Sequence, residues 1–308
     1  MRRTQAPRRG IFLVKIIKLW VTPEEPFEKL VGGGDLMPII TIYQGASGSG
    51  QELAEAVAGV LGYRCVGRTE LLEASRRYRI PEAKLNEILE KGPHWWERLL
   101  QNMRPYRIAL QGALCEVAAD GKIVYHGHLG HELLPGIRHV LKVLLTAPLE
   151  VRINQIKSRE NLSQGEARRY IEEIDKARSR RLMSMFGTDW RDPSRYDLVL
   201  NLGQMNVESA KRLIVEAAKL EEYQSTASSE RQFQDLSLGT RVHAVLITSQ
   251  EFRGSILDVR AENGHVHVSG NLQFWVSEEQ IVRAVEGVPG VTKVTTDLGN
   301  IPLEDNGV

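Results

Sequence analysis

Three consecutive segments indicate the fold of this chain. They are Ile39-Ile-Thr-Ile-Tyr43, then Gly45-Ala-Ser-Gly-Ser-Gly50, and then Gln51 to Leu61. The first is a short apolar run, the second is rich in glycine, and the last has apolar residues at helical spacing. A strand, a glycine turn and a helix in this order open a parallel α/β sheet. We therefore predict an α/β fold with helices on both faces of a parallel sheet.

The glycine turn has the G-x-x-x-x-G frame of a P-loop, in which backbone amides point onto phosphate oxygens at the positive end of the next helix. This frame favours a P-loop NTPase sheet, and a plain turn without a ligand is the alternative. Gln51 occupies the lysine position and Glu52 the serine or threonine position, so the usual cation is missing. The predicted nucleotide-binding residues are Gly45, Ser47, Gly48, Ser49, Gly50, Gln51 and Glu52.

Composition limits the number of domains and the class of protein. The chain has 308 residues, 42% hydrophobic and 26% charged, which is typical of globular proteins, and this length predicts two domains. With 40 basic and 39 acidic residues the net charge is +1, so no global field favours nucleic acid or an anionic membrane. Cys65 and Cys115 suit neither a disulfide scaffold nor a zinc cluster, and we expect a reducing, cytoplasmic compartment.

Residues 1–37 differ from the rest of the chain. Arginines at the start lead into the apolar run 11–20, which two lysines interrupt and which is too short to span a bilayer. Because Met37 stands directly before the first strand, we expect translation to start there rather than at Met1. The preceding residues are then an extension of the gene model or a loose tail, and a basic amphipathic surface anchor is the alternative.

Later segments indicate two folded units. Buried strands are predicted at 122–125, 140–145 and 196–201, and the capping box Ser163-Gln-Gly-Glu166 predicts the start of a charged helix. The polar stretch 224–236 predicts a linker. Beyond it, Asn263-Gly264 between two alternating strands predicts a hairpin turn. The predicted division is an N-terminal extension at 1–37, a P-loop domain at 38–223, the linker at 224–236, a small α/β domain at 237–303 and a tail at 304–308.

Several segments carry a resemblance to a known family. They are Gly48-Ser-Gly-Gln-Glu-Leu-Ala54, Leu61-Gly-Tyr-Arg-Cys-Val-Gly-Arg-Thr-Glu-Leu-Leu72, Leu145-Thr-Ala-Pro-Leu-Glu-Val-Arg-Ile153, Asp175-Lys-Ala-Arg178 and Phe186-Gly-Thr-Asp-Trp-Arg-Asp-Pro-Ser-Arg-Tyr-Asp-Leu-Val-Leu-Asn201. Together they resemble the cytidylate kinase-like family of P-loop nucleoside monophosphate kinases over 39–223. The resemblance implies transfer of the γ-phosphoryl group of ATP to CMP or dCMP with Mg²⁺, a reaction that depends on positioning and charge neutralisation.

The same resemblance implies site residues, including arginines from a mobile lid. By position, the catalytic candidates are Lys176, Arg178, Arg180 and Arg181. The candidates for binding the acceptor nucleotide are Arg68, His126, His128 and Arg159. For each cation alone, a solvated surface charge is the alternative.

Two positions depart from the family pattern. One is Gln51, and the other is His126 or His128, which stands where relatives carry an arginine for the acceptor phosphate and is only partly charged near neutral pH. Both changes remove positive charge, so a weak or inactive nucleotide-binding regulatory protein is the alternative function. With His131 these histidines could also hold a metal, but we rank that lower and predict no metal site.

The second unit has a resemblance of its own. Ile256-Leu-Asp-Val259, Asn263-Gly264, Val266-His-Val-Ser-Gly270 and Gly287-Val-Pro-Gly-Val-Thr-Lys-Val294 resemble a BON domain. That resemblance implies binding to phospholipid or to a protein partner rather than catalysis. We therefore expect a cytosolic bacterial kinase whose BON domain localises or regulates it, with no nucleic-acid partner and no transmembrane segment.

Overall fold

The computed structural model describes residues 38–45, 49–78 and 103–301. The predictions for the extension at 1–37, for the tail at 304–308 and for Ser47 and Gly48 lie outside these ranges. Within them the chain forms two folded units that share one helix.

A five-stranded sheet lies at the centre of the larger unit. All its strands are parallel, in the order β2-β3-β1-β4-β5. Because β1 is central, the loop that follows it lies at the carboxyl edge of the sheet, where open α/β proteins bind ligands. The strands are β1 (Ile39–Gln44), β2 (Arg64–Val66), β3 (Ile123–His126), β4 (Val140–Thr146) and β5 (Leu198–Asn201).

Helices cover both faces of this sheet. The helices are α1 (Ser49–Leu61), α2 (Arg68–Ser75), α3 (Arg104–Val117), α4 (Gly130–Leu133), α5 (Leu149–Glu160), α6 (Gln164–Phe186) and α7 (Val207–Ala218). On one face α1 and α7 pack with Ile40 and Ile42, and on the other α2 and α3 pack with Ile39 and Tyr43. Alternate residues of β1 thus enter different cores, and the predicted architecture is confirmed.

Helices α5 and α6 form a hairpin beside the sheet. The predicted capping box is present, since the Ser163 hydroxyl accepts from the amide of Glu166 and the Glu166 carboxylate accepts from the amide of Ser163. The hairpin has a small apolar cluster of its own, while Leu182 and Met185 near the end of α6 pack in a core on the sheet. The cluster of the hairpin comprises Ile153, Ile156, Ala167 and Ile171.

The smaller unit has a three-stranded sheet of β6 (Ile256–Glu262), β7 (His265–Leu272) and β8 (Lys293–Asn300). β6 and β7 are antiparallel, whereas β7 and β8 are parallel. Asn263 and Gly264 have φ angles of 50° and 80° and form the two-residue turn between β6 and β7, which confirms the predicted hairpin. Helix α9 (Glu278–Glu286) begins after Ser277 and packs on this sheet.

The expectation that 224–236 forms a linker outside the folded units is wrong for most of its length. Helix α8 (Ala227–Thr248) begins there, and the Thr226 hydroxyl caps it by accepting from the amide of Ser229. Most polar residues of the stretch are exposed or half-buried, while Ser229 and Phe233 are buried, Phe233 in the core beneath α3. A polar composition was therefore compatible with an amphipathic helix.

None of the helices in the described ranges is both long enough and apolar enough to cross a bilayer.

Candidate functional site

The loop after β1 begins and ends in crowded surroundings. A Cβ atom on Gly45 would lie 3.4 Å from the guanidinium of Arg152 and 3.5 Å from the ring of Trp190. A Cβ atom on Gly50, at the start of α1, would lie 2.2 Å from Oε1 of Gln44. Glycine at these positions lets side chains from three other elements close onto the two ends of the loop.

The lysine position of the loop carries no cation. Gln51 is exposed, and its side-chain amide donates to Oε1 of Glu55, one turn further along α1, at 2.9 Å. Glu52 is also exposed and lies in the first turn of α1. Any positive charge that meets a phosphate at this loop must therefore come from another element.

Arg178 of α6 brings such a charge to the loop. Its Nη1 donates to the backbone carbonyl of Gln44, the last residue of β1, at 2.7 Å. Its Nη2 lies 3.1 Å from Nε2 of His128. Burial lowers the pKa of Arg178 below its usual value, but a guanidinium remains charged at neutral pH. A cation on α6 is thus attached to the residue before the loop.

Two more arginines lie in the same electrostatic environment. Arg181, one turn beyond Arg178, is only 2% exposed. Burial, together with repulsion from Arg178 and Arg68, lowers its pKa to about 10. Arg68 begins α2, directly after the β2 edge of the sheet. These like charges repel each other, so an anion that binds among them would reduce the repulsion.

His128 is neutral between these arginines. Burial lowers its pKa well below the usual value, and Arg178, Arg181 and Arg68 act in the same direction. Because a guanidinium only donates, Nε2 accepts from Arg178 and the ring proton is assigned to Nδ1. Nδ1 is buried and has no hydrogen-bond partner within the described ranges. It is therefore an available donor beside the cations.

The other two histidines of this segment are in different surroundings. His126 packs against Gly67, where a Cβ atom would lie 2.7 Å from Nε2, and burial lowers its pKa while Glu70 opposes the shift. His131 is 2% exposed and stacks on Tyr196, with 4.7 Å between ring centroids. Burial lowers the pKa of His131 to about 3. No group of three or more metal-ligating side chains suited to an ion occurs in the part of the chain that the structure describes.

Three contacts around the loop were not predicted. Arg152 of α5 donates to both carboxylate oxygens of Asp175 at 2.8 and 2.7 Å, which joins the two helices of the hairpin next to Gly45. Gln155 lies 3.5 Å from the hydroxyl of Ser49. Tyr43 and Trp190 stack with 5.4 Å between centroids and form an apolar support below the arginines. The segments that resemble the family contain Arg152, Asp175 and Trp190, but nothing in their spacing predicted the pairing.

The remaining predicted cations do not join this group. Lys176 and Arg180 are exposed on the opposite side of α6 from Arg178. Arg159 is paired with its neighbour Glu160 at 2.7 Å. Of the predicted lid cations, the structure therefore brings Arg178 to the residue before the loop, and Arg181 lies in the same group of charges, together with Arg68 from α2.

Comparison with known sequences assigns the larger unit. The sequence model of the cytidylate kinase-like family matches residues 39–204, more than half of the 308 residues, including the loop and both helices of the hairpin. The chain belongs to the cytidylate kinase-like family. A second match, to the BON domain, covers residues 234–298 and begins within α8. Both predicted resemblances are thereby confirmed.

Individual relatives agree with this family. The chain is 38% identical over 94 residues to a cytidylate kinase of Methanopyrus kandleri, covering 28% of this chain and 49% of that protein. It is 30% identical over 170 residues to a cytidylate kinase of Methanothrix thermoacetophila, covering 54% and 89%. A solved structure of an uncharacterized protein from Eubacterium ventriosum aligns with a TM-score of 0.48 and 16% identity, covering 59% and 98%. The chain spans about half the length of several curated relatives that it matches.

Proposed function

We propose that this protein transfers the γ-phosphoryl group of ATP to a nucleoside monophosphate of the CMP or dCMP type. The observation that carries the proposal is the attachment of Arg178 to Gln44 at the start of the loop, with Arg181 and Arg68 in the same field. Phosphoryl transfer requires cations that neutralise developing charge on the transferred group. The arrangement of these arginines fits that requirement.

The nucleoside triphosphate would bind at the glycine loop. Amides at the start of α1 and the positive end of that helix favour phosphate oxygens. Arg178 and Arg152, which flank the residues at the beginning of the loop, replace the charge that Gln51 does not supply. In this proposal Asp175 holds Arg152 in place until a phosphate competes for the guanidinium.

One side chain near the loop could bind a magnesium ion. Glu52 offers an exposed carboxylate in the first turn of α1, and Mg²⁺ is commonly bound by one or two carboxylates together with substrate phosphates. When bound, Mg²⁺ would neutralise part of the negative charge of the phosphates. Glu52 would then help to hold the cation instead of repelling the phosphates.

The acceptor monophosphate would bind on the β2 side of the same edge. Arg68 supplies the charge there, and the neutral His128 supplies a hydrogen bond from Nδ1. His126 lies beside Gly67, the residue before Arg68, and borders the same region. An uncharged donor in the place of an arginine should give a weaker hold on the acceptor phosphate.

A coupled assay that measures ADP release tests the proposal. The purified protein is incubated with ATP, Mg²⁺ and each nucleoside monophosphate in turn, and ATP binding is measured separately by calorimetry. We expect turnover with CMP or dCMP above that with purine monophosphates. Binding of ATP without turnover for any acceptor would contradict the proposal.

The same outcome would support a second candidate function, a nucleotide-binding regulatory protein without useful turnover. The observation that favours it is the hydrogen bond between Gln51 and Glu55, which directs the side chain at the lysine position along α1 rather than toward a ligand. In either case we propose that the protein acts in the cytoplasm. The BON domain would then localise or regulate it through a phospholipid surface or a protein partner.

A further inference from the structure

The two units of the chain are joined by more than a covalent connection. Helix α8 contributes Phe233 and Ala244 to the core beneath α3, and it contributes Leu238, Val242 and Leu246 to the core of the BON domain. Its first turn is also attached, because the buried imidazole of His139 lies 2.8 Å from the hydroxyl of Ser229. A helix that belongs to two cores restricts the orientation of one unit against the other.

Arg104 adds a polar connection across the same boundary. It is the first residue of α3, and its Nη2 donates to the carbonyl of Leu257 and to the carboxylate of Asp258, both on β6. The same nitrogen lies 3.4 Å from Nε2 of His243 on α8. Burial lowers the pKa of His243 to about 4, so the neutral ring can accept this contact at pH 7. One side chain of the kinase unit thus meets two elements of the BON unit.

Helix α3 continues from this contact toward the candidate site. Arg107, one turn after Arg104, lies 3.5 Å from the carbonyl of Met185 in the last turn of α6. Further along, Glu116 accepts a hydrogen bond of 2.9 Å from Tyr78, in the turn that follows α2. Helices α2 and α3 pack together in one core. Helix α3 therefore contacts α6 through Arg107, and it also packs on α2, which begins at the acceptor candidate Arg68.

We propose that Arg104 is a positioning residue through which the BON domain fixes α3 and thereby the acceptor-binding side of the kinase unit. The predicted change in the KM for CMP rests on the proposed function. Helix α1, which follows the nucleotide loop, packs in the core on the other face of the sheet. The contact with α6 lies at Met185, two turns beyond Arg178, so we expect the link through Arg104 to act more strongly on the acceptor than on ATP.

Steady-state kinetics of the full chain with CMP and ATP test the link. In Arg104→Ala we expect the KM for CMP to rise about fivefold or more, the lower end of typical coupling between sites. The kcat and the KM for ATP should stay within about twofold. Arg104→Lys should recover part of the effect, because one ammonium cannot reach all partners of the guanidinium. Arg212→Ala, which removes an exposed ion pair within α7, is the matched control and should change nothing.

Hydrogen exchange gives a second readout that does not need activity. In Arg104→Ala and in Asp258→Ala, exchange should rise in residues 68–75 and 182–186, far from the substitution. Asp258 has a side chain that is 70% exposed, so its variant folds even if the Arg104 variant does not. Unchanged exchange in those two segments, or a rise in the KM for ATP equal to that for CMP, would overturn the link. If the native protein showed no turnover, the proposed function would be wrong, and the hydrogen-exchange result would still test whether Arg104 links the two units.

Discussion

Arg178 of helix α6 donates a hydrogen bond of 2.7 Å to the backbone carbonyl of Gln44, the residue that ends the central strand. The side chain at the usual lysine position, Gln51, donates to Glu55 instead. The positive charges next to this loop are therefore on α5 and α6 and not on α1. In the proposed function, this exchange of position lets a loop without its lysine retain a cation for phosphate.

Replacing this cation should remove most of the activity. We expect Arg178→Ala to lower kcat about a hundredfold or more, as for the loss of a cation that acts on a transferred phosphoryl group. Arg180→Ala is the matched control on the same helix, and because Arg180 is exposed its kcat should stay within about twofold of the native value. Equal losses in the two variants, measured by ADP release, would show that general charge and not position matters.

Restoring the missing lysine should have little effect in the native background. Gln51→Lys is combined with Glu55→Gln, because Glu55 would otherwise hold the new ammonium one turn along α1. We expect kcat to change by less than about threefold, since Arg178 and Arg152 already supply the charge. In the Arg178→Ala background the same pair should raise kcat. If the pair of substitutions raised kcat in the native protein but not in Arg178→Ala, Arg178 would not be the cation that replaces the lysine.

Adding a charge beside the arginines should be costly until an anion binds. His128→Arg places another guanidinium next to Arg178, Arg181 and Arg68, and we expect a loss of about 2 kcal/mol or more in the free energy of unfolding. His126→Arg is the control and should lose less, because Glu70 and Glu55 lie nearby. Urea unfolding with and without pyrophosphate measures both variants.

Pyrophosphate should reduce the difference in the free energy of unfolding between His128→Arg and His126→Arg, because it binds the folded state and neutralises the arginines around position 128. If pyrophosphate stabilised both variants equally, the arginines would not form one anion site.

Acid should destabilise the protein through its buried histidines. The pKa of His131 is about 3 in the folded state, below its unfolded value, so its contribution is complete above pH 6.5 and is lost as the pH falls toward 3. Between pH 7 and pH 4 this one group accounts for about 3 kcal/mol. In His131→Phe the free energy of unfolding should fall correspondingly less over this range.

In this variant the hydroxyl of Tyr196 should keep its hydrogen bond of 2.9 Å to the carbonyl of Trp190, and the loss of its contact of 3.2 Å with Nε2 of His131 lowers stability at every pH, so the change in slope reports the titration of His131. Parallel pH profiles for the native and variant proteins, measured by urea unfolding, would contradict the assigned pKa.

Local patterns predicted much of the fold. The alternation of strand, glycine turn and helix from Ile39 to Leu61 is enough to place β1 and its loop, and Asn263-Gly264 defines its hairpin because few residue pairs adopt two positive φ angles. Ser163 and Glu166 mark a helix start for a similar reason, since their hydrogen bonds are local. Such features depend on neighbouring residues only.

The candidate site depended on longer-range relationships. Helical spacing alone could have separated Arg178 and Arg181 from Lys176 and Arg180, because the first two share a face with buried residues of α6. The pair Arg152 and Asp175 joins two helices, so its geometry arises only when they pack. The start of α8 was missed because its buried residues are spaced among polar ones that suggest a linker.

The most direct test of the phosphoryl-transfer proposal is the product balance for ATP and CMP with Mg²⁺, followed by chromatography of all four nucleotides. We expect ADP and CDP to appear in equal amounts with the native protein and both to be lost in Arg178→Ala. ADP released without CDP would show hydrolysis rather than transfer. ATP that binds but yields neither product with any acceptor monophosphate would contradict the central claim.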